Sequence, residues 1–178
     1  MNDKLKIGIM LGSTRAGRVS PQVGEWVLKK SQDTGEASYE LIDIKDYQLP
    51  LLGEGKSDGI KRFKDKLNSL DGFVFIVCEY NHGLSGALKN ALDHAREEWY
   101  HKAAGIVSYG SAGGVRAAEQ LRLSLGELNV ADIRTQVFFS LFDDFKDNQF
   151  TPRSVHLDNL QQLFKDVNKW ASALKQVR

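Results

Sequence analysis

Residues 5–20 read LKIGIMLGSTRAGRVS, and the change of character at Gly12 is the strongest topological signal in the chain. Leu5–Leu11 is a nearly continuous apolar run, the pattern of a strand buried on both faces of a parallel sheet. The next nine residues hold two glycines, two serines, a threonine and two arginines. A helical pattern then runs from about 20 to 32. A buried strand that passes through a cationic turn into a helix is the first half of a βαβ unit, and it predicts an α/β fold.

The same alternation repeats downstream. Phe73–Val77, Ala103–Val107 and Val137–Leu141 are short apolar runs, and Tyr39–Ile44 is a weaker one. Between and after them, helical spacing covers about 58–70, 85–98, 114–128 and 154–175. The last is the clearest: Leu160, Leu163, Phe164, Val167, Ala171 and Leu174 form one stripe. Leu84, Leu88, Ala91, Leu92, Ala95 and Trp99 form another, with Ser85 placed to cap it. Five strands and five helices joined by right-handed crossovers predict a doubly wound parallel sheet of order 2-1-3-4-5 with helices on both faces. In that order ligands bind past the carboxyl ends of strands 1, 3 and 4, at segments 12–20, 79–84 and 108–114.

Composition narrows the partners. The chain has 178 residues, 42% of them apolar, which suits one domain over 1–178. Its formal net charge of +1, with acids and bases interspersed, gives no footprint for nucleic acid or an anionic membrane. Small molecules or copies of the same chain are the expected partners. No apolar stretch approaches the roughly 20 residues of a membrane span. The opening segment MNDKLKIGIM shows neither the apolar core nor the cleavage pattern of a secretory leader. Cys78 is the single cysteine, so neither an intramolecular disulfide nor a multi-cysteine metal site is expected, and a reducing, cytoplasmic setting is the default.

The three segments carry the chemistry. In the first, backbone amides lead into a helix start, and Ser13, Thr14, Ser20, Arg15 and Arg18 add hydroxyls and guanidinium forks, a combination suited to phosphate. The alternative is a solvated turn in which Ser20 caps a helix with Pro21 at its first position. GSTRAGRVS matches neither GxxxxGK[ST] nor GxGxxG and lacks a cysteine, so the loop suits holding a phosphate rather than transferring it. The second segment, CEYNHGLSGALKNALD from Cys78, sets a tyrosine, an amide and an imidazole beside Gly83, suited to a planar heterocycle or simply to a turn. Glu79 has no second carboxylate or nucleophile near it in sequence. The third, SYGSAGG from Ser108, brings Gly110, Gly113 and Gly114 to a helix start, either for close approach to a ligand or for tight packing. His94, His101 and His156 match no metal-ligand spacing and read as solvated or packing residues, and Cys78 as a small buried hydrophobe.

Together, GSTRAGRVS, EYNHGLSGALKNALD and SYGSAGGVRAAEQLR resemble the signature segments of the NADPH-dependent FMN reductase family, flavodoxin-like enzymes that include quinone, azo and chromate reductases. The resemblance implies bound FMN, with NADPH or NADH as electron donor and a small-molecule acceptor. By position, it implies that Ser13, Arg15, Arg18 and Ser20 hold the phosphate, and that Glu79, Tyr80, Asn81 and His82 line the isoalloxazine ring. It also implies that Gly110, Ser111, Gly113 and Gly114 close the pyrimidine side. Cys78 stands where the family usually has proline. Family members are usually dimers or tetramers, which inclines Trp99 toward a subunit interface. A flavodoxin-like electron carrier is the alternative, which the near-neutral charge disfavours.

Overall fold

The computed structural model describes residues 4–178; Met1–Asp3, the start of the segment read above for a leader signature, lie outside the described residues. Five long strands form the sheet: β1 (Leu5–Leu11), β2 (Ala37–Asp43), β3 (Gly72–Tyr80), β4 (Ala103–Gly110) and β5 (Ala131–Ser140). They pair in parallel in the order β2-β1-β3-β4-β5, as expected for a doubly wound sheet. The helices are α1 (Ser20–Ser31), α2 (Asp58–Asn68), α3 (Gly86–Asp93), α4 (Val115–Glu127) and α5 (Leu157–Leu174). None is long and apolar enough to cross a membrane.

The sheet separates two apolar layers. On one face Val23 and Val27 of α1 and the α5 stripe Leu160, Leu163, Phe164, Val167 and Ala171 cover Ile9, Val74, Ile76 and Val107. On the other, α2, α3 and α4 cover Met10, Phe73, Phe75 and Ile106. Strands clothed on both sides must be apolar at nearly every position, which is why β3 and β4 read as continuous runs.

Strand β4 runs on past Val107 to Gly110, and three further elements differ from expectation for local reasons. Strand β3 extends through Tyr80 because Val77 and Cys78 keep pairing with Ser108 and Tyr109, and Gly83–Leu84 then folds back antiparallel onto Glu79 and Tyr80. Strand β5 begins six residues before Val137 and stops before Leu141. It is an edge strand, so burial alternates, with Ile133, Val137 and Phe139 inside and Arg134 and Phe138 outside, and its first half lacks a continuous apolar signal.

Helix α3 ends at Asp93, short of the expected residue 98, yet Ala95 and Trp99 still reach the core from a non-helical turn. Trp99 is fully buried among Phe63, Phe73 and Phe75, and its indole N–H donates to the Leu92 carbonyl at 3.1 Å. It is a core residue, so the inclination toward an interface is corrected: its ring fills the space that the shortened helix leaves.

A buried cation lies at the opposite end of the sheet from the three loops. Lys102 is 4% exposed, and its ammonium donates to the Leu67 carbonyl at 2.5 Å and stands 5.7 Å from the Phe73 ring centroid. Burial, with Arg178 adding repulsion against the attraction of Asp71 and Glu98, lowers its pKa from 10.5 to about 8. Between those values the unfolded chain binds more protons, so this lysine makes stability rise as pH climbs from about 8 to 10.5. Lys102→Met therefore stabilises the protein by about 1–3 kcal/mol at pH 7, and the gain shrinks by pH 10. Urea melts at the two pH values measure it; a Lys102→Met protein less stable at pH 7 contradicts this account.

Candidate functional site

Because β1, β3 and β4 are neighbours in the sheet, their carboxyl ends place Leu11, Tyr80 and Gly110 along one edge of the molecule. The loop after β1 is tied down at its start, where the Gly12 amide donates to the Ile76 carbonyl at 3.0 Å. The Gly12 carbonyl in turn accepts from the Ser85 hydroxyl, which also caps α3 by accepting from the Leu88 amide. This Ser85 cap is the one expected.

Ser13 is buried, and its hydroxyl shares a 2.9 Å hydrogen bond with the Tyr80 hydroxyl. Arg15 is exposed; its Nε donates to the same hydroxyl at 3.3 Å, and this contact holds its pKa above the ordinary value. Arg18 behaves differently. Its guanidinium engages both carboxylate oxygens of Asp43, at the end of β2, and donates to the Ser13 carbonyl. Of the two arginines expected at a phosphate, Arg15 is the one with a solvent-facing guanidinium, and Arg18 straps the loop to β2.

Ser20 is the first residue of α1, preceded by Val19 at the N-cap position, and its side chain caps nothing. The solvated-turn alternative, which needs that cap, is not what the structure shows. Instead the Ser20 hydroxyl is fully buried and is the one buried side-chain polar atom without a hydrogen-bond partner among the described residues. Tyr109 stands near it: burial raises the Tyr109 pKa, and the Ser20 hydroxyl opposes that rise. An unpaired buried hydroxyl costs about 1–3 kcal/mol, which a ligand oxygen placed there would recover.

Glu79 is not a free carboxylate. It accepts from the Arg116 Nε at 2.6 Å and the Arg116 amide at 3.2 Å, with a second guanidinium contact. Burial alone would raise its pKa, but these bonds hold it below the ordinary carboxylate value. The pair joins the end of β3 to the first turn of α4 and positions the backbone between them. Asn81 and His82, both at positive φ and exposed, form the tip of the tight reversal that follows Tyr80.

The third segment closes on itself. The Gly113 amide donates to the Gly110 carbonyl at 3.1 Å, and its carbonyl accepts from the Ser108 hydroxyl at 2.7 Å. Ser111 is exposed at the tip. Gly114 sits at φ +70°, where a Cβ would stand 2.6 Å from the Tyr109 carbonyl, so only glycine lets the chain turn into α4 this closely. Behind the loop, the Leu141 amide donates to the Gly110 carbonyl at 3.0 Å, and Asp144 organises the chain that follows β5. Asp144 is fully buried and accepts from the amides of Ser140 and Arg153, the Arg153 guanidinium and the His156 ring.

Asp43, Tyr109, Arg116 and Asp144 were not singled out by sequence reasoning. Arg116 carried a usable signal: a cation in the first turn of a helix opposes the helix dipole and calls for a nearby carboxylate. The histidines are packing or surface residues, with His94 on the Pro50 carbonyl, His156 on Asp144 and His101 exposed. No group of three potential metal ligands exists among the described residues, and Cys78 is buried, as expected.

The family model for NADPH-dependent FMN reductase matches residues 5–144. The chain belongs to the NADPH-dependent FMN reductase family. It is 36% identical over 134 residues to an NAD(P)H-dependent FMN reductase of Nectria sp, covering 67% of each chain. It is also 36% identical over 135 residues to one from Schizosaccharomyces pombe, covering 70% of this chain and 68% of the relative. Among solved structures, FerB from Paracoccus denitrificans, a flavoenzyme NAD(P)H:(acceptor) oxidoreductase, superposes with a TM-score of 0.78 at 18% identity over 95% of this chain and 98% of its own. That likeness places the FMN reductase fold described here among flavodoxin-like proteins. Membership makes the chain an oxidoreductase, and the match spans all three site segments.

Proposed function

We propose that the three segments hold FMN and that the protein transfers reducing equivalents from NADPH or NADH to a quinone. The observation that carries the reading is the buried, unpartnered Ser20 hydroxyl at the start of α1, on the same loop as Ser13 and the solvent-facing Arg15, which meet at the Tyr80 hydroxyl. A helix start with loop amides, two hydroxyls and a guanidinium fits a phosphate monoester. Bound there, FMN supplies the two-electron chemistry, so the protein needs no acid/base triad of its own.

The residues divide the remaining work. Ser13, Ser20 and Arg15 would grip the phosphate, while Arg18 keeps the loop closed by way of Asp43. Tyr80, Asn81 and His82 would border the ring on one side, and the amides of Gly110, Ser111, Gly113 and Gly114 its pyrimidine edge, where donors stabilise developing negative charge. Glu79 and Arg116 fix the distance between those two walls.

A quinone is favoured over azo compounds, metal oxyanions or free flavin by the rim of the third loop. Phe138 packs against Gly113, and it stands with Leu141 and Phe142 as exposed apolar side chains beside Gly110–Gly114. Planar apolar acceptors are the molecules such a rim retains. The same reading has the chain act as a homodimer or homotetramer on small molecules, without nucleic-acid or membrane partners, in a reducing cytoplasm where Cys78 stays a thiol.

Rapid mixing of FMN-loaded protein with NADPH, then with a simple quinone, tests the proposal. Fast flavin bleaching followed by fast recovery is the expected result. Flavin that NADPH leaves oxidised, but that a reductase protein reduces, indicates an electron carrier and overturns it.

A further inference from the structure

A recess opens beside the loop after β1, on its β2 side. It has a volume of about 470 Å³, within the roughly 300–1,000 Å³ typical of small-molecule sites, and Thr14 of that loop forms part of its wall. The opposite walls are the 3₁₀ turn Ile44–Tyr47 with the chain that follows it, and the first turn of α3.

No carboxylate lines the recess. Lys45 does, and its ammonium makes no ion pair among the described residues. Asp43, two residues away, is paired with Arg18, and Asp46 of the same turn does not line the recess. Thr14 and Gln48 contribute polar groups, while Leu49, Leu51 and Ala87 contribute an apolar wall. Leu51 is 61% exposed, although it lies on a segment held in place. The Asn90 amide fixes that segment by donating to the Pro50 carbonyl at 2.8 Å and accepting from the Leu52 amide at 3.0 Å, so the wall is preformed.

A cation, a hydroxyl and an amide facing a rigid apolar wall match a phosphorylated adenosine: phosphate for the ammonium, base for the leucines. We infer that this recess, centred on Lys45, binds the adenosine diphosphate half of the nicotinamide donor. The inference rests on the proposed function, because it places the donor's adenosine end beside the loop assigned to the FMN phosphate.

The test compares NADPH, NADH and reduced nicotinamide mononucleotide, which lacks the adenosine half, on FMN-loaded wild type, Lys45→Met and Lys45→Glu. Removing one charge-assisted contact should raise the dinucleotide KM roughly tenfold, and charge reversal should raise it further. The mononucleotide KM should move less than about twofold, because that donor makes no contact with the recess. Titration of ADP-ribose and 2′,5′-ADP into the full chain without flavin gives a readout free of turnover. Loss of both ligands in Lys45→Glu assigns Lys45 to the diphosphate, and loss of 2′,5′-ADP alone assigns it to the 2′-phosphate.

Failure of both fragments to bind wild type overturns the inference, as does an equal rise in the mononucleotide KM. A change of assembly mass in Lys45→Glu also overturns it, since the recess would then be a seam between copies. Fragment binding that depends on Lys45 in a protein refusing FMN would keep this site and remove the proposed function instead.

Discussion

Asp144→Ala should lower the unfolding free energy by about 3–5 kcal/mol, the cost of breaking a buried ionic network from one side. Total stabilities of domains this size are about 5–15 kcal/mol, so the variant should melt far earlier or purify partly unfolded. The carboxylate is fully buried and collects donors from Ser140, Arg153 and His156. With the carboxylate gone, two backbone amides and the His156 ring lose their acceptor in the interior.

The same group sets an acid limb. Burial alone would raise its pKa, but the Arg153 side chain and amide, the Ser140 amide and His156 outweigh that and hold it at about 2, down from 3.8. Its contribution is therefore complete above pH 3.8 and is lost as pH falls toward 2, amounting to about 2 kcal/mol. Asp144→Asn, which keeps the shape, should flatten that limb. Denaturant melts from pH 2 to 7 measure both effects; an Asp144→Ala protein as stable as wild type at pH 7 would refute the role given to this hub.

Arg15→Ala should weaken FMN binding roughly 10- to 100-fold while leaving riboflavin binding within about twofold. Arg15 is exposed, and its only side-chain hydrogen bond among the described residues is to the Tyr80 hydroxyl. Its removal should therefore leave the melting temperature unchanged. The riboflavin comparison isolates the phosphate, since the two ligands differ only there. Arg18→Ala is expected to behave otherwise, lowering thermal stability as well as FMN affinity, because it strips the Asp43 carboxylate of its counter-charge, leaving it only the Lys45 amide, and takes a donor from the Ser13 carbonyl in a half-buried site. Fluorescence titrations of both flavins against both variants, with a melt of each, separate ligand from strap. Equal losses for FMN and riboflavin in Arg15→Ala contradict its placement at the phosphate.

The contrast between the two arginines shows what could be read before the fold was known. Strand–loop–helix order and the positions of the three loops were legible because β1, β3 and β4 are clothed on both faces, which writes burial into every residue. The pairing of Arg18 with Asp43 was not legible. It follows from a register that sets Leu11 opposite Asp43, 32 positions later in the chain, and nothing local to either residue encodes that register. Glu79 and Arg116 are likewise brought together across 37 positions by the meeting of β3 and α4. Edge strand β5 was half hidden because solvent on one side breaks the apolar run at Arg134 and Phe138. Trp99 kept its helical spacing in the sequence, yet it reached the core through a turn that the spacing alone does not distinguish from helix.

The central claim is that the segment from Gly12 to Ser20 is a phosphate anchor for FMN. The most direct test is a calorimetric titration of flavin-free protein with FMN and with riboflavin. The account requires one FMN per chain, with riboflavin bound at least about tenfold more weakly, the difference expected from a phosphate held by Ser13, Arg15 and Ser20. Equal affinity for the two flavins, or no binding of either, would contradict it.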